Sequence, residues 1–323
     1  MLDKLPTDVK IVEVGPRDGL QNEEKLVPTG DKVRLIEALA ASGLKNIEVT
    51  SFVSPKWIPQ LADGIEVVQS LSLPDSVNIS ALVPNLKGYE SAVKAKIKNI
   101  ALFLSASESH SKKNINKSID EALSTMKEVA QQAKHDGRNL RCYVSVVFAC
   151  PYEGKIAPEK VAAITEQLLA MGVDEISLGD TIGHAIPNQV IELTKILSRQ
   201  APLSKFALHF HDTLGMALAN VLAGIDSGIT IFDASVGGMG GCPYAPGAAG
   251  NLATEDLIHM LDGLGIRSGV DLEKLVDAGV IAEEITGKQL PGRYLKACLA
   301  GRSKQERSAA SPASASETAK ASA

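Results

Sequence analysis

The chain has 323 residues, 45% of them hydrophobic and 22% charged. That excludes a disordered polymer and suits one α/β barrel with extra elements. With 33 basic and 38 acidic residues the net charge is −5, which gives no general attraction to nucleic acid or to an anionic membrane. No apolar run reaches the ~18 residues of a spanning helix. Four separate cysteines, Cys142, Cys150, Cys242 and Cys298, form no CxxC pair, so neither a disulfide framework nor a zinc knuckle is indicated.

In chain order, a first strand is expected at Val9–Val14, followed by a helix at Thr29–Ser42 that opens on Pro28-Thr29-Gly30-Asp31 and stops at Gly43. Strands at Asn46–Phe52, Val77–Val83 and Asn99–Ser105 precede a helix at Ser118–His135. Strand Leu140–Phe148 leads to helix Pro158–Met171, and strand Glu175–Asp180 to helix Pro187–Arg199. Strand Phe206–His211, helix Leu214–Ser227 and strand Ile231–Val236 complete the alternation. Eight strands alternating with helices predict a parallel sheet, and eight closes a (β/α)8 TIM barrel. An open doubly wound sheet is the runner-up; polar residues clustered at many strand ends favour the barrel.

Helices near Thr254–Leu264, Asp271–Thr286 and Arg293–Leu299 exceed the barrel's needs. The expected organisation is one domain over residues 1–302, its extra C-terminal helices at about 265–302. The segment 303–323, SKQERSAASPASASETAKASA, has no aliphatic residue larger than alanine and is expected to be a disordered tail.

The sharpest local signal is His209-Phe210-His211-Asp212. Residues two apart on a strand share a face, so both imidazoles can reach one point, and with an outside carboxylate or amide they make a divalent-metal site. Arg17 and Asp18 follow the first strand directly, in Gly15-Pro16-Arg17-Asp18-Gly19; a carboxylate there is a hard ligand, and a guanidinium can clamp an oxyanion. The glycine-rich stretch 235–256 carries Cys242 and Asn251. Its composition describes a loop able to close over a ligand and expose a thiol. It is neither a P-loop nor a dinucleotide fingerprint. Glu48 and Asp180 are acids in otherwise apolar strands, costly unless paired or ligating, and Arg17 is the obvious partner.

The segments VGPRDGLQNE, TSFVSPKWIPQLAD, HFHDTLGMALAN and SVGGMGGCPYAPGAAGNLATED together resemble the 3-hydroxy-3-methylglutaryl-coenzyme A lyase family, over roughly residues 5–300. The resemblance implies metal-dependent retro-Claisen cleavage of an acyl-coenzyme A to acetyl-coenzyme A and acetoacetate, as in leucine degradation. It implies that Asp18, His209, His211 and Asn251 hold one Mg²⁺ or Mn²⁺, although this mixed donor set also admits Zn²⁺. It further implies Arg17 as enolate stabiliser, Cys242 as acid/base thiol and Glu48 and Asp180 as supporting acids, with Arg17, Gln21 and Ser51 at the substrate. The base for the 3-hydroxyl stays open between a histidine ligand, Asp180 and a metal-bound water. A homodimer through the segments after the barrel is implied as well.

Three other readings are carried alongside: a lyase for a longer-branched thioester, a Claisen-type acyl-coenzyme A/2-keto acid synthase, and a non-catalytic ligand-binding barrel. The start MLDKLPTDVKIVEVG and the closing Ala-Ser-Ala lack the patterns of a mitochondrial leader or a peroxisomal tripeptide, so a cytoplasmic, bacterial enzyme is expected.

Overall fold

The computed structural model describes residues 5–240 and 250–310. Strands β1 (Lys10–Glu13), β2 (Asn46–Ser51), β3 (Asn78–Leu82), β4 (Asn99–Ser105) and β5 (Asn139–Ser145) come first. A hairpin of β6 (Ala149–Cys150) and β7 (Gly154–Lys155) follows, then β8 (Glu175–Asp180), β9 (Phe206–Phe210) and β10 (Ile231–Ala234). Eight of these close in the order β1-β10-β9-β8-β5-β4-β3-β2, with only the hairpin outside. Because β1 pairs in parallel with both β10 and β2, no edge is left open. The barrel is therefore confirmed and the open sheet excluded.

Helices α1 (Thr29–Ala41), α2 (Gly64–Ser70), α3 (Leu86–Lys94), α4 (Glu108–Ile115), α5 (Ile119–His135), α6 (Pro158–Ala170), α7 (Pro187–Leu197) and α8 (Ala217–Asp226) lie outside the strands. In α1, Leu35, Ile36 and Leu39 are wholly buried in the main core with Ile47 of β2. Helix α5 starts at a reciprocal cap in which Ser118 and Glu121 satisfy each other's backbone amides. The barrel interior is largely polar. Glu48, Arg141, Ser177 and Asp233 are buried there together with two small apolar clusters, one of them Val12, Val14, Ala207 and Ile231.

Two expected boundaries move. The fifth strand stops at Ser145 rather than Phe148, because Val146 takes φ 54°. A β-branched residue is strained there, and the chain is held by the Val146 amide on Thr181 Oγ1 and the Val147 amide on the Gly179 carbonyl. The ninth strand stops at Phe210, one residue short of His211.

After the barrel come α9 (Thr254–Gly263), α10 (Leu272–Thr286) and α11 (Arg293–Ala310). Helix α10 packs on α1 and on the turn at 236–238. Helix α11 continues past Ser303, where the composition placed a disordered tail. Alanine, arginine, glutamine, glutamate and lysine are strong helix formers, and helix continuation needs no large apolar side chain. Residues 311–323 of that tail lie outside the described residues.

Candidate active site

The turn after β1 is π-helical over Gly15–Gly19, its form set by one acceptor: the Val14 carbonyl takes the amides of Arg17, Asp18 and Gly19. Glu13 fixes the turn from below by accepting from the amides of Gly15 (2.8 Å) and Val236 (2.9 Å) and from Thr254 Oγ1 (2.6 Å). A Cβ on Gly15 would stand 2.6 Å from that carboxylate, so only glycine lets the backbone approach. Arg17 and Asp18 thereby enter the barrel mouth.

Arg17 is buried and donates from Nε to Glu48 Oε2 (2.6 Å) and from Nη1 to Asp18 Oδ1 (2.6 Å). Its guanidinium carbon lies 5.1 Å from the centroid of the Tyr143 ring, and the Tyr143 hydroxyl donates to the same Glu48 oxygen (3.0 Å). Among the described residues Nη2 has no partner, so one edge of the guanidinium is free for an incoming oxygen. Burial raises the Glu48 pKa, an effect Arg17 opposes; Asp18 is held ionised well below the usual carboxylate range, its own burial outweighed by Arg17 and the two histidines.

One ligand atom each from Asp18, His209 and His211 lies within 4.8 Å of the others. His211 sits just beyond β9, bridged to Asn251 in antiparallel fashion. Asn251 donates from Nδ2 to Asp18 Oδ2 (2.9 Å) and to the Met239 carbonyl (3.1 Å), and its buried Oδ1 has no hydrogen-bond partner among the described residues. The buried His211 Nδ1 likewise has none among the described residues. Burial lowers the His211 pKa to about 4, so its imidazole is neutral, the ligating form. The ionised Asp18 carboxylate, the neutral His211 imidazole, the His209 ring beside them and an orphaned amide oxygen make a donor set that fits a hard to borderline divalent cation. Gly240 closes this corner at φ 108°, where a Cβ would meet Asn251 Nδ2 at 2.6 Å.

The structure brings together Arg17, Asp18, Glu48, His209, His211 and Asn251, as the sequence led us to expect. It places Asp180 and Ser51 differently. The two Asp180 oxygens accept from the amides of His184 and Ala185 (both 3.0 Å), which fixes the turn after β8. Burial raises its pKa to about 6 against the opposing effect of those two amides. The buried Ser51 hydroxyl accepts from the Val53 amide (3.1 Å), and Ser51 does not line the cavity described next, whereas Gln21 does. Cys242 lies outside the described residues.

Sequence reading missed the group beneath His209. Asp233 Oδ2 lies 3.4 Å from His209 Nδ1, accepts from Ser177 Oγ (2.7 Å), and Oδ1 accepts from Arg141 Nη2 (2.5 Å). The His209–Asp233 pair is thus in contact without a hydrogen bond, and the buried His209 Nδ1 has no hydrogen-bond partner among the described residues. A carboxylate behind a ligating imidazole is the arrangement that orients the ring when the contact shortens. Asp233 is an acid in the apolar run IFDA, the same signal that singled out Glu48.

The cluster opens into a cavity of about 780 Å³ lined by Arg17, Asp18, Gln21, Tyr143, His209 and His211, and by residues of α4 (Glu108–Ile115) and its surroundings. That volume suits a large small-molecule ligand.

Glu255 in α9 is wholly buried near Glu13, and burial raises its pKa to about 8. The folded state keeps this proton well above the ordinary glutamate value of 4.5, so its contribution to stability is full below about pH 4.5 and is lost as pH rises through about 8. Glu255→Gln cannot ionise. Its melting temperature relative to the parent should therefore climb between pH 5.5 and pH 9, read by calorimetry; a pH-independent difference would contradict the assignment.

The chain matches the HMGL-like protein family over residues 8–281. It is 53% identical over 274 residues to the mitochondrial hydroxymethylglutaryl-CoA lyase of Bos taurus, covering 85% of this chain and 84% of that one. The hydroxymethylglutaryl-CoA lyase structure from Pseudomonas aeruginosa superposes with a TM-score of 0.90 at 46% identity, covering 92% of this chain and 99% of that one. An HMG-CoA lyase from Acinetobacter baumannii, solved with coenzyme A and 3-methylmalate, gives a TM-score of 0.86 at 39% identity over 90% and 95% of the two chains.

Proposed function

The chain belongs to the HMGL-like family, and on that premise we propose that it is a carbon–carbon lyase that cleaves 3-hydroxy-3-methylglutaryl-coenzyme A to acetyl-coenzyme A and acetoacetate. The observation that carries this reading is the meeting of Asp18, His209 and His211 beside the free edge of Arg17, in a cavity wide enough for a thioester. Asp18, His209, His211 and Asn251 would hold one divalent cation, Mg²⁺ or Mn²⁺. When bound, such an ion polarises the substrate's 3-hydroxyl and lowers its pKa.

The chain's own residues do the rest. A base of the site, a histidine, Asp180 or a bound water, takes the 3-hydroxyl proton. The C2–C3 bond breaks as the C3–O bond becomes the ketone of acetoacetate, and the electron pair passes to C2 and the thioester oxygen. Arg17 presents Nη2 to that oxygen, while Glu48, Asp18 and Tyr143 hold the guanidinium still. Cys242 gives its thiol proton to C2, and the proton held by the base restores the thiol. Acetoacetate and acetyl-coenzyme A leave.

A synthase sharing this metal cluster has no need of the cysteine loop, and the lyase relatives do not favour it. Chain-length tolerance at the branch belongs to the same assay. A cytoplasmic setting fits the bacterial source of the solved structures, whereas the Bos taurus enzyme is mitochondrial. The homodimer and a place in leucine degradation are part of this proposal; sedimentation of the purified chain reads the first.

The test follows acetoacetate from 3-hydroxy-3-methylglutaryl-coenzyme A, with a longer-branched analogue and an acetyl-coenzyme A plus 2-keto acid mixture as rival substrates. Turnover of the first, dependent on added Mg²⁺, supports the reading; turnover of only a rival overturns it. Cys242→Ala should lower kcat by about 10²-fold or more, the usual worth of a positioned acid. Near-normal turnover in that variant would remove the thiol from the mechanism.

A further inference from the structure

Two neighbouring loops form one side of the cavity mouth. Residues Gln21 and Asn22 come from the first, and Val53, Ser54, Trp57 and Ile58 from the second. Residues 23–28 of the first have no regular structure, so their backbone groups need partners from elsewhere.

Gln60 in the second loop supplies them. Its Oε1 accepts from the Val27 amide (2.9 Å), and its Nε2 donates to the carbonyls of Lys25 (2.8 Å) and Glu23 (3.3 Å). The backbone carbonyl of Gln60 accepts in turn from the buried Lys32 ammonium, which also holds Asp63 Oδ1 (2.6 Å). Gln60 is 3% exposed and Lys32 4%. Beside this buried latch stands the chain's one tryptophan, Trp57, 83% exposed. Tryptophan is enriched at binding interfaces because it joins a large apolar face to a polar N–H, and this one lines the cavity.

We infer that Gln60 is a positioning residue that locks the two loops into one wall, on which Trp57 binds the coenzyme A part of the substrate. This rests on the acyl-coenzyme A reading above. Gln60 touches no reacting atom, so it acts on binding and leaves the chemical step alone.

Coenzyme A itself is the probe, followed by calorimetry and by Trp57 emission, with steady-state kinetics alongside. Gln60→Leu keeps an uncharged side chain of comparable bulk and removes all three bonds; Trp57→Ala alters an exposed side chain and leaves the core intact. Each should raise the Kd for coenzyme A and the KM by roughly tenfold with kcat within about twofold. In the unsubstituted protein, coenzyme A should change Trp57 emission, with the midpoint displaced in Gln60→Leu. Unchanged Kd and KM in Trp57→Ala overturn the inference, even if Gln60→Leu fails to fold. A Gln60→Leu protein with less active material and an unchanged KM overturns it too. If the unsubstituted protein binds coenzyme A but releases no acetoacetate, the lyase reading fails and the wall stands.

Discussion

Arg17→Gln should lower kcat for 3-hydroxy-3-methylglutaryl-coenzyme A by about 10³-fold while KM moves little. Loss of one preorganised donor to a developing oxyanion costs on the order of 10²–10³ in kcat, and here the lost donor is also charged. Glutamine keeps roughly the reach but carries no charge and cannot serve Glu48, Asp18 and the thioester oxygen together. Lysine keeps the charge without the planar fork, so Arg17→Lys should fall nearly as far. The substitution also leaves Glu48 wholly buried without its cation, and an uncompensated buried charge costs about 3–5 kcal/mol unless it takes up a proton. Stability and catalysis can therefore be separated. The double variant Arg17→Gln/Glu48→Gln should recover most of the lost melting temperature and none of the lost kcat. If it recovers kcat, Arg17 serves the fold rather than the enolate.

The contrast between Glu48 and Asp233 shows how far the sequence could be read. Both are acids in apolar strands, and that alone marks a buried charge in need of a partner. Arg17 could be offered to Glu48 because it was already in view at the end of the first strand. The partners of Asp233 are Arg141 and Ser177 on β5 and β8; their meeting follows from barrel closure and register, which periodicity does not specify. His209 and His211 were legible as a pair through the two-residue repeat of a strand, even though β9 ends between them. Asn251 was reached through family resemblance alone. What places it is the bridge to His211 and the bond to Asp18, contacts between chain segments far apart in sequence. Gln60 carried no signal, since one glutamine among loop residues looks like solvent-facing polarity until its three backbone partners are seen.

Removing the cation should silence the enzyme by about 10³-fold or more, because the Lewis acid supplies several kcal/mol of charge stabilisation. Dialysis against chelator, then titration with Mg²⁺ or Mn²⁺, should abolish and restore acetoacetate release. His211→Ala should reproduce the loss without rescue by added metal. Asp233→Asn tests a finer point, since it leaves every ligand in place and removes the carboxylate behind His209. It should weaken metal affinity by about 10–100-fold, with activity returning at high metal concentration. Direct Mn²⁺ titration, independent of turnover, reads both variants. The pH course is set by the donors: Asp18 stays ionised far below neutrality, and His211 stays neutral down to about pH 4. Neither donor has to shed a proton between pH 6 and 8, so neither should weaken Mn²⁺ binding there, and protonation of His211 should weaken it only as pH falls toward 4. If Asp233→Asn binds metal as tightly as the parent, the contact with His209 does not orient the ligand, and the three-donor cluster holds its shape without it.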